Sequence, residues 1–180
     1  MVFFAVFSLA RDSIRTFLPT YLVQVRGLTA SSASLLMLAY ATAFVLAGPT
    51  AGYLLDRFGY ARPSAISFVA MSVGIFAIPL MPTGIPIAAT LFAWGLMGSW
   101  VTTTQSVLLI RYVPSRLRGT FLGIQNSCTF LGTATGPLIL GYAADIGGFG
   151  ILFALALGLS ILLATVMFPI LRAEMRPQAK

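Results

Sequence analysis

Residues 48–59 read GPTAGYLLDRFG, and a similar pattern returns at residues 136–148 as GPLILGYAADIGG. A Gly-Pro pair, a Gly-Tyr pair, an Asp and a final Gly recur in the same order, with one residue inserted in the second copy. The copies lie 88 to 89 residues apart in a chain of 180 residues. This offset predicts that the chain consists of two related halves.

The composition around the two copies is that of a membrane protein. Hydrophobic residues make up 58% of the chain and charged residues 8%, whereas roughly a quarter of a soluble domain is charged. A spanning helix needs about 20 apolar residues. Six stretches meet this length between charges and Gly/Pro breaks, namely 2–23, 31–54, 63–81, 84–109, 119–143 and 150–171. We therefore predict an all-α polytopic membrane protein with six transmembrane helices.

The two copies are expected to cross the membrane in opposite directions. They stand at the ends of the second and fifth spans, and this odd separation predicts an inverted repeat, a common plan in secondary transporters. The predicted three-helix units are residues 1–81 and 84–171, followed by a tail at 172–180. The alternative is chance recurrence, since Gly and Pro are frequent in membrane helices.

Residues that the sequence lacks exclude several classes of chemistry. The chain has no His and one Cys, which excludes Ser-His-Asp hydrolysis, Cys-His nucleophiles, His-based metal sites and disulfide frameworks. No G-x-x-x-x-G-K-S/T segment occurs, which excludes ATP-driven pumping by this chain. We predict no enzyme activity, no metal site and no cofactor.

The net charge of +7 is explained by topology. If both termini face the cytoplasm, the outer side holds one basic residue, Arg26. The inner side then holds eight: Arg57, Arg62, Arg111, Arg116, Arg118, Arg172, Arg176 and Lys180. This bias predicts that both termini lie in the cytoplasm, and we expect the membrane to be a prokaryotic inner membrane. The basic loops are expected to contact anionic lipid, and nucleic acid is not an expected partner.

Charged residues lie inside the first span. Arg11, Asp12 and Arg15 share one helical face near mid-membrane, where each charge costs about 3 kcal/mol on insertion scales. Asp12 and Arg15 can pair at i, i+3, which leaves one positive charge uncompensated. Intramembrane charges favour a binding site for an anionic group or a charge-coupled switch. The alternative is a structural ion pair that holds this helix to a neighbour.

The fourth and fifth spans carry further polar residues. The amides Gln105, Gln125 and Asn126 stand in polar runs of these spans. Each is expected either to contact a bound solute or ion, or to hydrogen-bond between helices. Gly132 and Gly136 follow at a GxxxG spacing, which lets helix backbones approach closely.

The stretch at 52–59 resembles the loop motif G-x-x-x-D-R/K-x-G-R/K-R/K of the major facilitator superfamily. The matched positions are Gly52, Asp56, Arg57 and Gly59. Tyr60 and Ala61 replace the basic pair, and Arg62 stands one position later. Residues 114–119, PSRLRG, are similar to a turn that in many prokaryotic facilitators precedes a helix with a Gly-Pro pair, here Gly136-Pro137. The resemblance covers essentially the whole chain.

The resemblance implies one half of a two-bundle machine. A complete facilitator has two six-helix bundles around a central cavity, and this chain holds one, more like the C-terminal bundle. It implies either a half-transporter that homodimerises, one partner of a split pair, or a piece of a twelve-helix protein. The function implied is secondary transport of a small organic solute by alternating access, coupled to a proton or another ion. The alternative is a non-transporting membrane bundle that acts as an assembly partner or is a fragment.

The resemblance also assigns roles to residues at the inner face and at the helix bends. The loop residues named above, together with Arg118, are implied to close the cytoplasmic side against the second bundle. Gly48-Pro49 and Gly136-Pro137 are implied bending points, because Pro removes a helix hydrogen bond. Tight packing without motion is the alternative for both pairs.

Overall fold

A computed structural model describes the backbone of residues 2–59 and 61–175, with side chains at 5–55, 57, 59, 63, 66–107, 109, 110, 113–162 and 165. The elements, in order, are α1 (Val2–Gln24), α2 (Ala30–Phe58), α3 (Ala61–Leu80), α4 (Ile85–Tyr112), a 3-10 turn (Ser115–Leu117) and α5 (Arg118–Met175). The described part is helical and contains no strand, so the all-α prediction is confirmed.

The helix α5 contains two of the predicted spans. Gly148 has φ 73° and ψ −179° inside it, and only glycine adopts a positive φ at little cost. The connection expected between the spans 119–143 and 150–171 is thus reduced to a break at one glycine, which separates a first arm (residues 118–147) from a second arm (residues 149–175). The second arm is helical to Met175, four residues into the predicted tail.

Contacts on either side of Gly148 reveal that the chain reverses there. The first arm runs parallel to α1, since Gly136 lies against Leu9 and Gly141 against Phe17. The second arm runs antiparallel to α3. The end of α3, at Phe76 and Pro79, shares one cavity with residues 148–157, and its earlier part, from Val69, shares another with residues up to Thr165. With this reversal the helices correspond in order to the six predicted spans.

Length and composition mark three sections as able to cross a membrane. They are Ala30–Leu55, Ile85–Val107 and Ser115–Leu162, the last of which includes parts of both arms of α5. The apolar section of α3, Ile66–Leu80, is shorter. The helix α1 has 23 residues, enough to span, but its charged residues lower its hydropathy.

Two parallel helix pairs form the centre of the bundle. In the first pair, Gly132 and Gly136 bring the first arm of α5 onto the α1 backbone at Ala5 and Leu9. In the second pair, Gly95 of α4 lies against the backbone carbonyl of Tyr40 in α2 and the Ala43 side chain. Small residues at such crossings let backbones approach closely.

The third span lies behind these pairs, against α4 and the second arm of α5. Trp94 of α4 is 1% exposed and fills the space over Gly74 of α3. Phe7 of α1 packs edge-to-face on Phe68 of α3, with ring centroids 5.5 Å apart. These aromatic contacts hold the start of α1 and the middle of α4 to α3.

The two parallel pairs have the relation expected of an inverted repeat. Spans one and two of the first unit correspond to spans four and five of the second unit. The pair formed by spans one and five therefore corresponds to the pair formed by spans four and two. The boundaries at residues 81 and 84 stay a prediction. The repeated glycines nevertheless differ in their surroundings, because Gly136 is closely packed whereas Gly48 and Gly52 have no side-chain or distant backbone atom within 4 Å of an added Cβ.

Alanine at Gly136 and at Gly48 should therefore have opposite effects. A methyl carbon at Gly136 would lie 2.5 Å from Ser13 Oγ and 2.7 Å from the Leu9 carbonyl oxygen, and overpacking of this kind costs about 1–3 kcal/mol. Gly48→Ala meets no atom and gains up to about 1 kcal/mol of helix propensity. Thermal unfolding of the detergent-solubilised variants measures both. Equal stability of the two variants would contradict the packing difference.

Candidate functional site

The charged residues of α1 form a cluster in the interior of the bundle. Arg11 is 8% exposed and Asp12 2% exposed. Arg11 Nε donates to Asp12 Oδ1 at 2.9 Å, and Arg11 Nη2 donates to Asp12 Oδ2 at 3.1 Å. This two-point contact between a guanidinium and a carboxylate is a strong hydrogen-bonded geometry. The pair joins neighbouring residues, so it is formed within α1 itself.

A threonine of α5 donates a further hydrogen bond to the carboxylate of Asp12. Thr133 Oγ1 lies 2.6 Å from Asp12 Oδ2 and 3.0 Å from the Thr129 carbonyl oxygen. Its single hydrogen can serve only one acceptor at a time, and the charged carboxylate is the stronger one. Thr133 is a site residue that sequence reasoning missed. Its position between Gly132 and Gly136, on the helix face that packs closest to α1, is the feature of the sequence that could have identified it.

Arg15 lies at the edge of this cluster. Its Nε is 4.0 Å from Asp12 Oδ1, and its side chain is 49% exposed, against 3% for Asp12. Asp12 already accepts the hydrogen bonds of Arg11 and Thr133. Two guanidinium groups thus face one carboxylate, and the second of them is presented at the surface of the bundle.

The buried guanidinium also has capacity left to bind. Arg11 Nη1 is buried without a hydrogen-bond partner, and the guanidinium carbon lies 5.5 Å from the centre of the Phe7 ring. A ring face attracts a cation but accepts no conventional hydrogen bond from this Nη1. In a buried arginine an unmatched N–H costs free energy, and an acceptor brought to it would recover that cost. One N–H group of the buried guanidinium therefore stays open to a hydrogen-bond acceptor.

Tyr40 of α2 lies in the interior of the bundle, where its backbone carbonyl faces Gly95 of α4. Its ring is 5% exposed and packs on Trp94 with a centroid distance of 5.1 Å. Tyr40 therefore belongs to the packed interface between α2 and α4. Sequence reasoning did not single it out, since one tyrosine in an apolar span has no distinguishing pattern.

The predicted amide residues separate into two environments. Gln105 and Gln125 are buried, at 7% and 5% exposure, and Gln125 Nε2 lies 3.3 Å from Ser106 Oγ across the interface of α4 and α5. Gln105 Nε2 and Gln125 Oε1 have no partner, so one donor and one acceptor stay open on neighbouring helices. Asn126 is exposed and faces away from this pair.

The predicted gate residues lie where α2 ends and α5 begins. Gly59, with φ 75°, ends α2. Arg57 Nη1 donates to the Tyr53 hydroxyl at 2.9 Å, and Arg118 Nε donates to the Val113 carbonyl at 3.3 Å. Gly52 lies one turn before Asp56. The side chains of Asp56 and Arg62 fall outside the described residues.

Both predicted bending prolines lie inside helices. Pro49 is in α2, which is assigned as one helix to Phe58, and Pro137 is in the first arm of α5. Next to Pro49, Thr50 Oγ1 donates to the Ala47 carbonyl at 2.8 Å and accepts from Trp100 Nε1 at 3.1 Å. Among the described side chains, no group of three or more His, Cys, Asp or Glu residues is placed to hold a metal ion.

Removing the Asp12 charge should destabilise the bundle. Asp12→Asn leaves Arg11 buried without its counter-charge, and breaking a buried pair in this way costs about 3 kcal/mol or more. Thr133→Val removes one hydrogen bond to a charged group, which costs about 1.5–3 kcal/mol. Thermal unfolding in detergent measures both losses. Asp145→Asn, at an exposed position, is the matched control, and an equal loss in this variant would contradict the assignment.

Comparison with known proteins identifies the family. The Major Facilitator Superfamily profile matches residues 1–180. The chain is 28% identical over 159 residues to the uncharacterized MFS-type transporter YwoD of Bacillus subtilis, covering 82% of this chain and 35% of that protein. It is 28% identical over 148 residues to the multidrug resistance protein B homolog of Mycobacterium tuberculosis, covering 79% of this chain and 27% of that protein. The matched part thus spans only about a third of each relative. The chain belongs to the Major Facilitator Superfamily.

Proposed function

We propose that the chain forms one six-helix half of a secondary transporter that moves a small organic solute by alternating access. Membership of a family of transporters supports the activity. The span of 35% and 27% of the relatives' lengths supports the need for a second bundle, either a second copy or a separate partner. The cavity between the bundles would then face Arg15.

The charged cluster on α1 is the observation that carries this proposal. Placing charges at membrane depth costs several kcal/mol on most scales, and a purely structural pair would need only one arginine for Asp12. Here a second arginine is added and left 49% exposed beside a carboxylate that already accepts three hydrogen bonds. We assign Arg11, Asp12 and Arg15 to a solute site, with Arg15 as the first contact for an anionic group.

The net positive charge of the cluster indicates which class of solute would bind. Two relatives are named multidrug resistance protein B homologs, a name that leaves the charge of the drug open. Two guanidinium groups against one carboxylate repel a cation and attract an anion. We therefore favour an organic anion or a zwitterion over a cationic drug.

A polar part of the same solute would bind at the amide residues. Gln125 lies eight residues from Thr133 on one helix, which is about 12 Å at 1.5 Å per residue. The open donor of Gln105 and the open acceptor of Gln125 match a hydroxyl or carboxamide group. Asn126, on the exposed side of α5, would contact solute only if the second bundle encloses it.

The loop residues are proposed to close the inner side. We assign Gly52, Asp56, Arg57, Gly59, Arg62 and Arg118 to a gate that contacts the second bundle. A carboxylate at Asp56 would favour the positive N-terminal end of a partner helix. Gly48-Pro49 and Gly136-Pro137 would be the bends, although the close packing of Gly136 favours rigidity at the second pair.

The proposed orientation follows from the basic residues. With both termini in the cytoplasm of a prokaryotic cell, the inner-membrane loops carry most of the positive charge. Transport would be driven by the gradient of a proton, another ion or the solute itself. Lipid with anionic headgroups would contact the inner loops.

Neutralising Arg15 should abolish transport without loss of protein. Cells that make the complete transporter containing this chain are tested for accumulation or efflux of a panel of radiolabelled organic anions, including benzoate and citrate. Arg15→Gln should lower the transport rate at least tenfold, because the exposed guanidinium is the contact for the anion, whereas Arg15→Lys should retain part of the rate.

Two controls separate transport from expression. Arg116→Gln, at an exposed position in the 3-10 turn, should transport as the wild type does. Immunoblots of the membrane fraction compare the protein amounts. Normal transport by Arg15→Gln would remove the site assignment, and transport of cations alone would overturn the proposed solute class.

A further inference from the structure

An apolar crevice runs along the face of the bundle formed by α3 and the second arm of α5. One section of about 490 Å³ is lined by Val69, Val73, Leu157 and Ile161, among others. An adjoining section of about 600 Å³ continues it to Pro79 and Gly148. Phe76 and Leu157 line both sections, so the two form one crevice.

The polar groups inside the first section are already satisfied. Ser72 Oγ donates to the Phe68 carbonyl at 3.1 Å, and Thr165 Oγ1 donates to the Leu162 carbonyl at 2.7 Å. A solute with polar groups would find no hydrogen-bond partner on these two side chains. The side chains of the first section therefore offer mainly hydrocarbon contact.

The crevice has the length of a lipid tail. From Gly148 to Thr165 the second arm advances 17 residues, which is about 25 Å at 1.5 Å per residue. The hydrocarbon core of a bilayer is about 30 Å thick and contains two layers of tails. A single extended acyl chain fits within the crevice, and its surroundings in a membrane are other acyl chains.

A positive charge stands at the end of the crevice where α1 and α3 end. Arg26 Nη1 donates to the Pro79 carbonyl at 3.0 Å, and Arg26 Nη2 donates to the Met81 carbonyl. Pro79 and Val25, the residue before Arg26, both line the crevice. The two acceptors are neutral, and Arg26 pairs with neither Asp12 nor Asp145, the acidic side chains that the structure describes. Its charge is held in place and left uncompensated.

We propose that this crevice binds one acyl chain of an anionic phospholipid whose phosphate contacts Arg26. The carbonyls of Pro79 and Met81 position the guanidinium, and its remaining N–H groups face the phosphate. The tail then lies against Phe76 and Leu157 and covers the hydrocarbon walls. Arg15 does not line the crevice, so this site is separate from the proposed solute site and does not depend on transport.

Charge complementarity favours a phospholipid over a second copy of the chain. The copy would bring its own Arg26 or an apolar helix face to this end of the crevice, and neither neutralises a guanidinium. A lipid supplies both the tail for the walls and the anion for the end. Dimer formation through this face is accordingly an outcome that the test must detect.

Native mass spectrometry of the purified full chain, titrated with phosphatidylglycerol, tests the proposal. Arg26→Gln should weaken phosphatidylglycerol binding roughly fivefold, the effect of one basic residue near an anionic headgroup. Arg26→Lys should restore most of it, because the charge is kept. Ala154→Trp fills the second section and should weaken binding of both phosphatidylglycerol and uncharged diacylglycerol.

Matched controls and ligands make the result decisive. Leu155→Trp, at an exposed residue outside the crevice lining, should bind as the wild type does. Equal phosphatidylglycerol binding in all variants would overturn the proposal. It would also fail if free glycerol phosphate bound at Arg26 as tightly as the lipid, if Arg26→Lys bound as weakly as Arg26→Gln, or if a dimer in the absence of lipid were broken by Ala154→Trp.

Discussion

The contact between Thr133 and Asp12 is the interaction on which the arrangement of the bundle depends. A buried carboxylate in a membrane must be matched by donors, and Arg11 supplies two of them from the same helix. The third must come from another helix, at 2.6 Å. That distance is reached only because Gly132 and Gly136 let the first arm of α5 lie on the α1 backbone. The hydrogen bonding of Asp12 and the close packing at Gly132 and Gly136 therefore depend on each other.

The second helix pair solves the same packing problem with different residues. There Gly95 of α4 provides the close approach, against the backbone of α2 at Tyr40. The glycine of α2 that matches Gly136 in the sequence repeat, Gly48, has open space instead. Among the described side chains of α2 and α4, none is a buried charged group that requires a donor from a neighbour. Gly48 is therefore retained in the sequence repeat, whereas Gly95 of the partner helix α4 makes the close contact.

Much of the fold could be predicted from the sequence, because span length and the lack of charge are local properties. The six spans and the face shared by Arg11, Asp12 and Arg15 are of this kind. Thr133, Tyr40 and Arg26 could not be assigned, since their importance arises from contacts with other helices, up to 121 residues apart for Thr133 and Asp12. The break at Gly148 was predicted as a longer loop, because composition does not distinguish a four-residue turn from one glycine with positive φ. The open donor and acceptor of the two glutamines likewise depend on which neighbours reach them.

Arg15 and Arg26 differ in a way that follows from their partners. Arg15 lies beside a carboxylate, and its attraction for an anion is reduced by that negative charge at 4.0 Å. A solute held there experiences partial attraction, which suits binding that must be reversible during transport. Arg26 is held by two neutral carbonyls and keeps its full charge, next to walls that bind hydrocarbon. An anion with a long tail gains from both features and dissociates slowly. The two arginines are thus suited to different classes of anion, Arg15 to a solute that binds reversibly and Arg26 to a lipid that remains bound.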